Sequence, residues 1–288
     1  MLPTGKTSLL GLLGWPVSHS KSPAMHSAAA RAAGLDYLYV PLSVHPAAVG
    51  DALRGLPALG MRGVNVTVPH KQAVIPFLDE IDPAAAALGS VNTIVITQSS
   101  DNYAPHLKGY STDGTGFLTD LEGYGVTVSE RACIVVGGGG SARAVIFSLI
   151  MAGATVYLAT RRAEQGQEVV EQLGPHLPPG RLITQRMADI PALTQAHSEA
   201  VVVHTTPVGM TPKVEHSVWN DSWSWPKNGF LYDLVYTPAE TKIMQQAKAA
   251  GLPAVNGLGM LLHQGAAAFT LWTGLEPDIK VMREAIRG

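Results

Sequence analysis

Residues Val64–Lys71 read V-N-V-T-V-P-H-K. Alternating apolar and polar residues predict a strand, Pro69 stops the ladder, and a single lysine stands just past the strand end. A lysine drawn out of water loses affinity for its proton, and so becomes a usable proton donor near neutral pH. Residues Lys108–Gly116 read K-G-Y-S-T-D-G-T-G, a strand expected to deliver Asp113 into a glycine-rich turn. A lysine and an aspartate on two strand ends can form a proton-transfer pair, so Lys71 and Asp113 are the candidate catalytic residues.

A second chemistry sits further along. Gly137, Gly139 and Ala142 satisfy G-x-G-x-x-A between the apolar run Ala132–Val136 and a helix pattern reaching Ala152. The first glycine makes the tight turn, the second lets backbone approach a pyrophosphate at a helix N-terminus, and the small third residue permits close helix–strand packing. Glycines also make ordinary turns, but a strand before and a helix after favour dinucleotide binding. The next strand ends at Thr160 and is followed by Arg161 and Arg162. An NAD site places an acid about 20 residues after the glycines, on the ribose hydroxyls. None stands at this strand end, and two guanidiniums can pair with a 2′-phosphate. NADP is therefore the expected cofactor, against the alternative of a solvated arginine pair.

Strand-like and helix-like segments alternate throughout, the pattern of an α/β protein with mainly parallel sheets. Ser8–Leu13 predicts the first strand. A helix follows with Ser22 as N-cap, Pro23 in its first turn, Gly34 past its end, and Met25, Ala28, Ala29 and Ala32 on one face. Strands are expected at Tyr37–Leu42, Gly63–Val68 and Val91–Thr97, a polar loop over Gln98–His106, and a helix over Gly116–Leu121. A new unit begins near Arg131. Gly257–Thr273 is a long apolar helix, and Pro277 starts a last amphipathic one.

At 288 residues, two domains are the default. Hydrophobic residues at 46% and charged residues at 15% support a sizeable core. A net charge of −2 gives no basic footprint for nucleic acid. No apolar run approaches the ~20 residues that span a bilayer, and Gly11, Gly14 and Pro16 break up the layout of a signal peptide. The one cysteine, Cys133, is read as a buried small hydrophobe. A cytoplasmic protein is expected. His19, His26, His70 and His263 lack a compact ligand spacing, and no metal is expected.

Several ordered segments together resemble one family, the shikimate dehydrogenases with their quinate/shikimate relatives. They are G-W-P-V-S-H-S-K-S-P-A-M-H (Gly14–His26), V-N-V-T-V-P-H-K, G-S-V-N-T (Gly89–Thr93), G-Y-S-T-D-G-T-G (Gly109–Gly116), Y-D-L-V-Y-T-P (Tyr232–Pro238) and N-G-L-G-M-L-L-H-Q (Asn256–Gln264). The resemblance implies an N-terminal α/β substrate domain over residues 1–112, a Rossmann-type NADP domain over 113–255, and C-terminal helices, 256–288, returning to the substrate domain. It implies that Ser20 and Ser22 hold a substrate carboxylate. Asn65, Thr67, Asn92 and Gln264 would hydrogen-bond ring hydroxyls and a keto oxygen. Tyr236 would lie beside the substrate and Gly257 near the nicotinamide. Lys71 and Asp113 would be the catalytic pair. The candidate cofactor residues are Gly137, Gly138, Gly139, Gly140, Ser141, Thr160, Arg161, Arg162, Thr206 and Gly257.

Four of these residues have a plainer reading. Asn65 and Asn92 can cap backbone in loops, Ser22 can serve as a helix cap, and Tyr236 can be core. The sequence departs from the family in Ser111, where Asn is usual two residues before the aspartate. It also departs at Thr160, where the family commonly reads N-R-T, and at Gly140-Ser141-Ala142, where Gly-Ala-Ser is usual. The implied activity is NADP-dependent reduction of 3-dehydroshikimate to shikimate in aromatic amino-acid biosynthesis, by a monomer or homodimer. The alternatives are a quinate/shikimate dehydrogenase using NAD or NADP, and a non-catalytic sensor. Intact Lys71 and Asp113 speak against the sensor, which needs no proton donor.

Overall fold

A computed structural model of the chain describes residues 3–98 and 104–287. The chain divides into two compact α/β units, Met1–Thr112 with Leu262–Gly288, and Asp113–Leu261. The chain re-enters the first unit at Leu262 rather than at 256, inside a continuous helix rather than ahead of one.

The first unit contains β1 (Ser8–Gly14), α1 (Ser22–Ala32), β2 (Tyr37–Ser43), α2 (Val49–Ala58), β3 (Met61–Val66), β4 (Glu80–Ile81), α3 (Pro83–Leu88), β5 (Thr93–Gln98) and β6 (Pro105–Tyr110). Its six-stranded sheet runs β2-β1-β3-β5-β6-β4. It is mixed: β1 pairs parallel with β2 and β3, whereas β5 runs antiparallel to β3 and β6. The carboxyl ends of β1, β3 and β6 and the start of β5 therefore share one edge, with Asn65 opposite Thr93 and Thr93 opposite Tyr110. Leu13, Leu53, Val64, Val74, Ala85 and Ile94 fill the core beneath it. The greater part of the polar loop expected over 98–106 lies outside the described residues, and β6 already begins at Pro105.

Two local expectations change. Lys21, not Ser22, is the cap position of α1, and it makes no side-chain cap bond. Pro23 sits one residue further into the helix than a first-position proline, which places Ser22 inside it. The buried face of α1 is Ser22, Met25, His26, Ala29 and Ala30, whereas Ala32 is exposed.

The second unit contains α4 (Asp113–Gly123), β7 (Ala132–Val136), α5 (Gly140–Met151), β8 (Thr155–Thr160), α6 (Ala163–Leu173), β9 (Leu182–Arg186), α7 (Ile190–Ala196), β10 (Val201–His204), β11 (Phe230–Asp233), α8 (Lys242–Ala249) and β12 (Ala254–Asn256). The helices α9 (Leu258–Thr273) and α10 (Ile279–Ala285) complete the chain. The all-parallel sheet runs β12-β11-β10-β7-β8-β9. Counted from β7 as first, this is the doubly wound order 3-2-1-4-5-6, with its switch point between β7 and β10.

Asp113 is the first residue of α4, not part of a glycine turn. The following glycine serves packing instead, because a Cβ on Gly114 would meet Ser148 and the Ala144 carbonyl of α5. An aspartate in the first turn of a helix also complements the helix dipole. Cys133 is wholly buried in β7, and burial pushes its thiol up to about 12. No described helix is long and apolar enough to cross a membrane.

Candidate active site

In the first unit, β1 and β3 deliver neighbouring turns. Trp15 N–H donates to the Val68 carbonyl at 3.1 Å, and Thr67 N–H to the Leu13 carbonyl at 2.9 Å. Ser20 and Ser22 are joined by a bond from Ser22 N–H to Ser20 Oγ at 3.2 Å. Lys71 is half-buried beyond the end of β3, and its carbonyl accepts from Val91 N–H, which ties its turn to the approach to β5.

The amides expected to read a polar substrate form one network at the shared sheet edge. Asn92 Nδ2 donates to Thr112 Oγ1 at 2.9 Å and to Gln264 Oε1 at 3.3 Å. Asn92 Oδ1 accepts from Thr112 N–H at 2.8 Å and from Thr93 Oγ1 at 3.1 Å. Asn65 Nδ2 donates to the Asn92 carbonyl at 3.3 Å and to Thr93 Oγ1 at 3.1 Å, while its Oδ1 accepts from the Tyr39 hydroxyl at 2.8 Å. Both Asn65 amide protons are thus committed within the protein, and toward a ligand the group can only accept.

Beneath this network lies His26, 1% exposed and stacked on Tyr39 with ring centroids 4.5 Å apart. Neither ring nitrogen has a hydrogen-bond partner. Burial pushes its pKa down to about 3, and the nearby Asn65 amide, its protons committed elsewhere, opposes this only in part. Burial also raises the Tyr39 hydroxyl, which keeps it a protonated donor to Asn65.

Sequence reasoning missed Tyr39, Thr93 and Thr112 as members of this network. Thr93 and Thr112 lay inside motifs already singled out, beside Asn92 and Asp113. Tyr39 carried no such signal, since its partner is 26 residues away.

In the second unit, Gly137 takes φ +113°, a backbone state that side chains rarely adopt. Gly139 caps α5 without a side-chain cap bond, and the space a Cβ would fill at Gly139 and Gly140 is open. The first turn of α5, with Ser141 in it, therefore offers bare backbone N–H groups to an open cradle, which fits a dinucleotide pyrophosphate. At the end of β8, the buried Thr160 donates its hydroxyl to the Arg162 carbonyl at 2.8 Å, fixing the turn. Arg161 and Arg162 are exposed, with no ion pair among the described residues. Thr206 follows β10, Tyr236 follows β11, and Gly257 follows β12, so all three lie at carboxyl strand ends. Tyr236 is half-buried, and burial raises its hydroxyl. Gly257 N–H reaches the Val235 carbonyl at 3.4 Å. No group of three potential metal ligands occurs among the described residues.

A doubly wound unit with a bare glycine turn, carried on one chain with an α/β unit that gathers amides and hydroxyls at a sheet edge, defines a dinucleotide-binding oxidoreductase. Residues 12–94 match the family model of the shikimate dehydrogenase substrate binding domain, and residues 257–287 that of the shikimate 5'-dehydrogenase C-terminal domain. A shikimate dehydrogenase (NADP(+)) of Moorella thermoacetica is 45% identical over 98% of this chain and 93% of its own. Shikimate 5-dehydrogenase from Thermus thermophilus, solved with NADP(H) and shikimate, superposes with a TM-score of 0.85 at 35% identity, over 98% of this chain and 99% of that one. Quinate dehydrogenase from Corynebacterium glutamicum, solved with NAD, gives 0.87 at 32% identity, over 97% and 98%. The chain belongs to the shikimate dehydrogenase family.

Proposed function

We propose that this chain catalyses the reversible reduction of 3-dehydroshikimate to shikimate with NADP(H). The observation that carries the substrate side is the hydrogen-bonded cluster of Asn65, Asn92, Thr93, Thr112 and Gln264 at one sheet edge. A small polyhydroxylated acid offers the donors and acceptors that such a cluster orders. Ser20 and Ser22 supply hydroxyls for its carboxylate, and Thr67 a hydroxyl at the neighbouring turn. Tyr236 belongs to the same substrate set.

The dinucleotide, when bound, supplies the hydride. Gly137–Gly140 and Ser141 hold its pyrophosphate, and Arg161 and Arg162 its 2′-phosphate. Reduction of a ketone leaves charge on oxygen. The Lys71 ammonium stabilises that charge and gives its proton to the oxygen, with Asp113 as the second member of the catalytic pair. In the oxidation direction Lys71 takes the proton from the hydroxyl.

What supports NADP over NAD is the absence of an acid at the end of β8, where two exposed guanidiniums stand instead. The likeness to a quinate dehydrogenase solved with NAD favours a second reading, a quinate/shikimate dehydrogenase that accepts either cofactor. Turnover of shikimate and quinate with each cofactor separates the two.

A further inference from the structure

Strand β10 reads V-V-V-H, and its polar last residue is wholly buried, as is Asp233 at the end of β11. The two are register partners. His204 Nδ1 lies 2.8 Å from Asp233 Oδ1, and Val235 N–H donates to the same oxygen at 3.0 Å. The Thr241 hydroxyl donates to Asp233 Oδ2. A carboxylate only accepts, so Nδ1 donates to Asp233, and in that tautomer Nε2 is left as the acceptor. The Thr206 hydroxyl, 2.5 Å from Nε2, therefore donates to it. Val208 N–H donates to Thr206 Oγ1 at 3.3 Å. The half-buried Thr206 oxygen is left with one lone pair and no proton to give.

Its place in the sheet says what it can meet. His204 pairs with Val136, the residue before the glycine turn, and a Cβ on Gly137 would lie 2.8 Å from Thr206 Cγ2. Thr206 thus borders the switch point between β7 and β10, where doubly wound sheets bind ligands. β8, with Arg161 and Arg162 beyond its end, lies on the other side of β7 and is the adenosine side. Phosphate oxygens only accept, so a hydroxyl whose proton is spent cannot bind them. The nicotinamide half does carry donors, the ribose hydroxyls and the carboxamide N–H.

We propose that Asp233 and His204 are positioning residues that hold the Thr206 hydroxyl as a hydrogen-bond acceptor for the nicotinamide half of the dinucleotide. This rests on the dinucleotide-dependent reading above.

Calorimetric titration of the full chain with NADP+, and separately with adenosine 2′,5′-bisphosphate, tests it. Thr206→Val and His204→Phe should each weaken NADP+ binding about three- to tenfold, the range of one neutral hydrogen bond. The double variant should be no weaker than either single one, because both remove the same bond. Adenosine 2′,5′-bisphosphate should bind all variants as it binds wild type, and Thr206→Ser should keep wild-type affinity for NADP+. With the 3-acetylpyridine analogue, which lacks the amide N–H, a Thr206→Val loss that vanishes assigns the bond to the carboxamide. A loss that persists assigns it to the ribose, and either supports the proposal. Unchanged NADP+ affinity in Thr206→Val, equal weakening of the adenosine fragment, or failure of Thr206→Ser to hold affinity overturns it. His204→Phe leaves a buried carboxylate short of a donor, so if it does not fold the Thr206 pair decides alone. A wild type that binds NADP+ and oxidises shikimate keeps the functional reading however the variants behave. A wild type that binds no NADP+ removes both.

Discussion

The Tyr39 hydroxyl donates to Asn65 Oδ1 at 2.8 Å, across a distance of 26 residues in sequence. This bond fixes which way the Asn65 amide faces, because its two N–H groups are then aimed at Asn92 and Thr93. Tyr39→Phe should leave a buried carbonyl oxygen unsatisfied, at a cost of about 1–3 kcal/mol of stability. It should also raise KM for shikimate more than KM for NADP+. Steady-state kinetics with each substrate varied, beside a denaturant melt, check both; an unchanged KM for shikimate would detach Asn65 from substrate binding.

The buried His26 makes stability depend on pH. Its folded-state pKa of about 3 lies below the unfolded value of 6.5, so between these values the unfolded chain binds more protons. Stability should then fall as pH drops from 6.5 toward 3, by about 1 kcal/mol per pH unit from this group once well below 6.5. His26→Phe removes that contribution. Urea melts at pH 7 and pH 5 should show a smaller drop in the variant than in wild type, and equal drops would contradict the assignment.

Lys71→Ala should lower kcat by a factor of ~10² to 10⁴ with a modest change in KM, as for loss of a general acid. Asp113→Asn should also lower kcat, and by less. Stopped-flow measurement of the chemical step in both variants checks the order, and a near-wild-type rate in Lys71→Ala removes it as the proton donor.

Ser22 occupies the first helical position of α1 rather than its cap, so Ser22→Ala should cost little of the ~1 kcal/mol expected for a lost cap. A rise in KM for shikimate in that variant with an unchanged melt reports binding rather than folding. Ser20→Ala should raise KM too, and in addition strips the Ser22 N–H of its acceptor. Thermal melts run beside the kinetics separate the two effects.

The glycine turn and its flanking elements were legible because they are marked by punctuation: an apolar run, glycines, then an amphipathic stretch. The same cue misled at Gly114, where a glycine next to an aspartate read as a turn but lets α4 approach α5. Ser22 before Pro23 read as a cap, yet the helix starts one residue earlier than that pairing suggests. Asn65, Asn92 and Gln264 were visible as residue types in motifs, whereas their mutual bonds were not. Those bonds depend on strand register and on a helix more than 170 residues away. The His204–Asp233 pair was invisible for the same reason, since its members meet only when β10 and β11 lie side by side.

Arg161→Ala should weaken NADP binding by about 1.5–3 kcal/mol, the range of hydrogen bonds to a charged group, and leave NAD binding nearly unchanged. If Arg162 shares the phosphate, the single variant should lose less, and the double variant more than the sum of the singles. High salt should shrink the NADP advantage, because the pair is exposed.

The most direct test of the central claim is kcat/KM of the wild-type enzyme for shikimate and quinate, each with NADP+ and NAD+. The highest value should fall on shikimate with NADP+, and quinate should be poor with either cofactor. Comparable or better turnover with NAD+, or with quinate, would contradict an NADP-dependent shikimate dehydrogenase and establish the dual-cofactor quinate/shikimate reading in its place.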